Sequence, residues 1–93
     1  MNYSLQADEI VEVLEDIKEI DLRDLVVYND DYNTFDHVIT TLVKACNHTT
    51  EQAEQCAYII HYRGKCTVKH GPLAKLQPMK DTICDAGIDA RIH

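Results

Sequence analysis

The 93-residue sequence predicts a small single α+β domain, a three-stranded antiparallel sheet with three helices in the order β-α-α-β-α-β. Three observations lead there. LRDLVVY is dense in β-branched and aromatic residues and runs into a polar cluster, as a strand does. Two consecutive segments, one from Phe35 and one from Thr49, carry apolar residues at helical spacing behind capping residues. Two shorter β-type stretches, CTVKH and IDARI, flank a third helical segment, which places strands and helices around one sheet. A chain of this length builds one core.

Taken in order, residues 1–21 read as an acidic N-terminal extension and residues 22–93 as the core domain. Ile10, Leu14 and Ile17 have helical spacing while EIVEV alternates like a strand, so the period leaves both conformations open. Such a charged stretch with little apolar mass also has the composition of a mobile segment. After the first strand, Thr34 is the N-cap of a helix that puts Phe35, Val38, Ile39, Leu42, Val43 and Cys46 on one face, with Asp36 in the first turn favouring the helix dipole. Asn47 and His48 break it. Thr49 and Gln52 form a capping box for a second helix to about Tyr62, with Ala53, Cys56, Ala57 and Ile60 on one side and Gly64 as its stop. CTVKH is a short strand. Gly71-Pro72 opens the third helix, with proline near its first turn, where the missing N–H costs nothing. Pro78 lies inside the pattern of Leu73, Leu76, Met79 and Ile83, which predicts a kink or a helix restarting at Pro78. Gly87 ends that helix, and IDARI closes the sheet.

The net charge of −7 argues against nucleic acid, because phosphate binding draws on clustered Lys and Arg. Eight acids against Lys18 and Arg23 in residues 1–24 account for −6 of that charge. No apolar run approaches the ~18 residues of a membrane span. The start MNYSLQADEIVEVLED lacks a basic region and an apolar core of the secretory type, so a cytoplasmic protein is expected. In that compartment Cys46, Cys56, Cys66 and Cys84 read as free, partly buried thiols.

Two polar clusters carry the chemistry: NDDYNTF before the first helix and the histidine of IIHYRGK at the end of the second. An antiparallel helix hairpin with the short Asn47-His48 turn sets the start of one helix beside the end of the other, so Asn29–Asn33 and His61 face one another. Taken alone, NDDYNT is a common solvated turn and cap, and His61 a common rim histidine.

VYNDDYNTFDHVI followed by HYRGK resembles the ClpS family, adaptors of the N-end rule pathway that recognise destabilising N-terminal residues and hand proteins to Clp AAA+ chaperone-proteases. The resemblance covers residues 25–65 without a visible gap and is looser beyond them. It implies a cavity for a free protein N-terminus. By the resemblance Asn29 and His61 hold the α-amino group, Asp30 helps position the start of the peptide, and Asn33, Phe35, Val38, Ala57 and Ile60 form the wall. An α-ammonium offers three donors and a charge, so its site needs an amide oxygen, a carboxylate and a neutral imidazole nitrogen. A charge-assisted hydrogen bond and a buried side chain contribute roughly 1.5–3 kcal/mol each, and micromolar binding at about −8 kcal/mol needs both together with peptide-backbone contacts. Affinity is therefore expected to fall when the amine is blocked, when the first side chain is small, and when His61 is protonated.

Some relatives carry methionine where Phe35 and Ala57 stand, which implies a bulkier rim and a roomier wall here. Phe, Tyr, Leu and Trp are then the accepted first residues, and β-branched Ile and Val are disfavoured. The leucine that often completes the wall near the C-terminus in relatives has no secure counterpart around IDARI. The resemblance also implies docking of a monomeric adaptor on the N-terminal domain of a Clp chaperone, with the acidic extension engaging the chaperone during delivery. Deleting residues 1–20 is expected to spare peptide binding and impair delivery.

Two other readings stand beside this one. A metal site would draw on Cys46, Cys56, Cys66 and Cys84 with some of His37, His48, His61, His70 and His93, but no C-x₂-C or H-x₃-H pair is present. An acid–base enzyme would pair Asp30 or Asp31 with His61. No nucleophile arrangement, phosphate loop or cofactor motif accompanies that pair, so neither an enzyme nor a cofactor is expected.

Overall fold

A computed structural model describes residues 20–93. Its elements are β1 (Leu22–Tyr28), α1 (Phe35–Cys46), α2 (Thr50–Arg63), β2 (Lys65–Pro72), α3 (Leu73–Asp85) and β3 (Ala90–Ile92). The predicted β-α-α-β-α-β order and three-stranded antiparallel sheet are what the chain forms, with β1 central in the order β2-β1-β3. Residues 1–19, where the sequence leaves helix and strand both open, lie outside the described residues. Asp21, assigned to the extension, is tied to the core through its carbonyl, which accepts from the Leu73 N–H at 2.9 Å.

Leu25 and Val27 share one face of β1 and are fully buried, packed with Leu42, Cys46, Ala53, Ile60, Leu76 and Ile83 from the three helices. The expected faces of α1 and α2 are the ones that pack, with one instructive exception. Phe35 is 36% exposed, because it starts α1 at the mouth of a cavity and not over the core.

The register of β1 against β2 slips between Leu25 and Val26, whose partners are Lys69 and Thr67, so Val68 is an extra residue. Its carbonyl, which has no place in the ladder, receives the His48 Nε2–H at 2.8 Å. His48 is buried in the turn between α1 and α2, so this bond anchors the helix hairpin to the bulge of β2. Nδ1 of the same ring is buried and has no hydrogen-bond partner among the described residues.

The ends of the helices follow their residues. Thr34 Oγ1 accepts from His37 N, Thr49 and Gln52 form the reciprocal capping box, and Asn47 takes the left-handed conformation that stops α1. β2 continues past CTVKH to Pro72, so that proline caps α3 from outside its first turn. Pro78 neither ends nor restarts α3, which runs unbroken from Leu73 to Asp85. The hydrogen bond that Pro78 cannot make would go to the Ala74 carbonyl, on an exposed residue where water can replace it.

Burial, first, and then the adjacent Cys66 push the Cys56 thiol up to about 12, and burial also raises Cys46 and Cys66. All four cysteines are free, and these three stay protonated at neutral pH.

Gly64 closes α2 at φ 91°, with its N–H bonded to Ile60 O at 2.9 Å. A Cβ at this position meets no atom within 4 Å, so the need for glycine is conformational and not steric. Gly64→Ala should lower stability by about 1 kcal/mol in chemical denaturation. An unchanged midpoint would mean that the left-handed cap is not required.

Candidate functional site

The site is assembled where the end of β1 meets the end of α2. Asn29 N–H donates to Gly64 O at 2.8 Å, which joins the NDD turn to the residue three places after His61. The left-handed Gly64 thus stops the helix and sets Asn29 beside His61.

Within the turn, Asp30 is bonded to Tyr32 and Asn33. Asp30 Oδ1 accepts from Tyr32 N at 2.9 Å and Asn33 N at 2.8 Å, while Oδ2 accepts from Asn33 Nδ2 at 2.6 Å. Burial alone would push the Asp30 carboxyl up, but these bonds outweigh it and hold the group below the usual carboxylate range. Asn33 Nδ2 also donates to Gly87 O at 3.0 Å, at the turn that follows α3. With both amide hydrogens engaged, the group that Asn33 still offers is its Oδ1, an acceptor.

Asn29, Asn33, Phe35, Val38, Ala57, Ile60 and His61 line one open cavity. Every residue assigned to the hydrophobic wall is there, as are two of the three assigned to the amino group. Asp30 is not among the lining residues; its carboxylate is turned to the loop, where it fixes Asn33. The floor is Ala57 and Ile60, both buried, and the small Ala57 leaves depth where a longer side chain would fill it. The Phe35 ring stands over the mouth, 5.0 Å from the His61 ring and 5.3 Å from Tyr58 between centroids. Among the described residues neither the Asn29 side chain nor the His61 ring has a hydrogen-bond partner, so both are open to a ligand.

Two features escaped the sequence. Gly87 and Ala86 brace the start of α1, through Asn33 and through His37 Nε2 bonded to Ala86 O at 2.8 Å. Nothing local in the sequence pairs these segments, which lie some fifty residues apart. Tyr58 against Phe35 was also not named, although an aromatic one residue past Ala57, on the polar side of α2, was the available signal.

Chemically, the cavity sets three polar side chains with acceptor capacity beside an apolar wall. Of the two carboxylates that an acid–base reading would use, Asp30 and Asp31, the first is bonded to Tyr32 and Asn33 and not to His61. Among the described residues no three His, Cys, Asp or Glu side chains are grouped to hold a metal ion. No helix among them is long and apolar enough to cross a membrane.

The family model described as ATP-dependent Clp protease adaptor protein ClpS matches residues 18–90. The ATP-dependent Clp protease adapter protein ClpS of Thermosynechococcus vestitus is 34% identical over 65 residues, which cover 69% of each chain. The protein of that name from Salmonella gallinarum is 33% identical over 63 residues, covering 66% of this chain and 59% of the relative. Among solved structures, Agrobacterium tumefaciens ClpS2 bound to L-phenylalaninamide shares the fold, with a TM-score of 0.66 at 18% identity over 77% of this chain and 94% of that one. With the match spanning the strand, the helix hairpin and the cavity they enclose, the chain belongs to the ClpS family of Clp protease adaptors.

Proposed function

We infer that this adaptor binds the free N-terminal residue of substrate proteins, preferring large hydrophobic or aromatic side chains, and delivers those proteins to a Clp AAA+ chaperone-protease. The observation that carries the reading is the single cavity in which Asn29, Asn33 and His61 stand beside Phe35, Val38, Ala57 and Ile60. An α-ammonium donates to Asn29 Oδ1 and an unprotonated His61 nitrogen, while the side chain of the same residue enters the apolar part. Asp30 contributes by holding Asn33 with its oxygen available, a positioning role. The ligand in the A. tumefaciens relative, L-phenylalaninamide, has this composition, a free amine next to a benzyl group. Docking on the chaperone's N-terminal domain, engagement of the chaperone by residues 1–21, a monomeric state and a cytoplasmic location complete the reading.

Competition binding with peptides that differ only at their first residue tests it. Phe, Tyr, Leu and Trp should compete, with Ile and Val about ten-fold weaker because a branch at Cβ meets the Phe35 ring at the mouth. Ile competing as well as Leu would refute the assigned mouth.

Acid provides a second check. The Asp30 carboxyl is held low in the folded chain, so its contribution to the turn is present above the ordinary carboxylate value of about 3.9 and lost as pH falls through the lowered folded value. Unfolding titrations should show Asp30→Asn removing part of the acid-dependent loss of stability. An Asp30→Asn curve parallel to the wild type down to about pH 2 would contradict these bonds.

A further inference from the structure

The cavity rim continues along α2 into an exposed aromatic strip that recognition of a first residue leaves unused. Phe35 packs on Tyr58, and Tyr58 lies parallel to Tyr62 one turn on, with centroids 6.2 Å apart and planes within 6°. Tyr62 meets the His61 ring edge-on at 4.8 Å, which connects the strip to the amino-group end of the cavity. Tyr58 is 56% and Tyr62 74% exposed, so both present ring surface to solvent and contribute little to the core. A contiguous exposed aromatic surface beside a cavity marks a contact region.

A carboxylate stands at the Tyr58 end of the strip. Glu54 stands four residues before Tyr58, on the same side of α2, and among the described residues no ion pair engages it. Tyrosine faces attract cations, and a carboxylate one turn away adds to that attraction. A guanidinium lies flat on such rings and donates to a carboxylate at the same time, which an ammonium does less well.

We propose that Tyr58 and Tyr62, with Glu54, form a second subsite that reads the side chain after the N-terminal residue and favours arginine there. The subsite rests on the reading of the cavity given above. A peptide whose amine is held at Asn29 and His61 has its second residue about 3.5 Å further along the chain, at the mouth and within side-chain reach of Tyr62.

Anisotropy competition with three peptides that begin Phe-Arg, Phe-Ala and Phe-Asp and are otherwise identical tests the subsite. Phe-Arg should bind about five-fold tighter than Phe-Ala, with Phe-Asp weakest. Replacing both rings, Tyr58→Leu with Tyr62→Leu, should bring the Arg-to-Ala ratio to about one, whereas Tyr58→Phe with Tyr62→Phe should keep most of it, since the ring face and not the hydroxyl attracts the cation. Equal wild-type affinities for Phe-Arg and Phe-Ala would overturn the subsite, as would a preference that survives the leucine pair. The wild-type ratio decides even if the leucine pair does not fold. If Phe-Ala binds without any preference for arginine, the subsite alone falls. If none of the three peptides binds, the reading of the cavity falls and the subsite with it.

Discussion

His61→Ala should weaken binding of a peptide that begins with phenylalanine by about 10- to 100-fold, the loss of one hydrogen bond to a charged group. Asn29→Ala should do the same. Both side chains are at the surface and make no hydrogen bond within the described residues, so thermal melting should move little while affinity collapses. That separation is the informative part. A buried structural histidine would lose stability and binding together, and His48, bonded to the bulge of β2, serves as the contrast within the same chain. The double variant should be less than additive, because both side chains hold the same ammonium. Unchanged affinity in His61→Ala would remove the imidazole from the site.

Ala57→Leu should cost at least as much by a different route. Ala57 is buried at 3% exposure in the floor of the cavity, and its small side chain leaves the space that a large first residue would occupy. Filling that space removes burial worth about 1.5–3 kcal/mol, so affinity for Phe and Trp termini should fall roughly 10- to 100-fold. The leucine points into a cavity and not into packed core, so the variant should remain folded by circular dichroism. Full retention of Phe binding in Ala57→Leu would place the first side chain elsewhere.

The sequence made the helices of this fold legible because their signals are local. Thr34, Thr49 with Gln52, Asn47 and Gly64 each act within a few residues, and each sits at the helix end expected of it. The first strand, LRDLVVY, was legible in place and extent, whereas β2 and β3 were legible in place only. β2 runs to Pro72 because it pairs with Leu22 and Arg23 across the sheet, a constraint that CTVKH does not contain. At Pro78 the helix does not restart, because an exposed Ala74 carbonyl can be hydrated and one missing hydrogen bond does not divide α3.

At the site, a cavity wall and a core face look identical in sequence, since both need apolar residues at helical spacing. Val38, Ala57 and Ile60 became wall residues through the NDD and HYRGK motifs and not through their period. The three donors that Tyr32 and Asn33 present to the Asp30 carboxylate are not legible in the motif, because they depend on the backbone path of the turn. The brace from Ala86 and Gly87 was invisible, because it joins backbone carbonyls to distant side chains without any pairing of residue types.

The central claim is that the cavity recognises a free amine and a large side chain together. Fluorescence anisotropy with one peptide that begins with phenylalanine, compared with the same peptide acetylated at its N-terminus, tests it most directly. Acetylation removes the charge and two of the three donors and keeps the benzyl group, so binding should fall by about 100-fold or more. Equal binding of the two peptides would mean that Asn29 and His61 do not hold an amine, and recognition of protein N-termini would have to be given up for this chain.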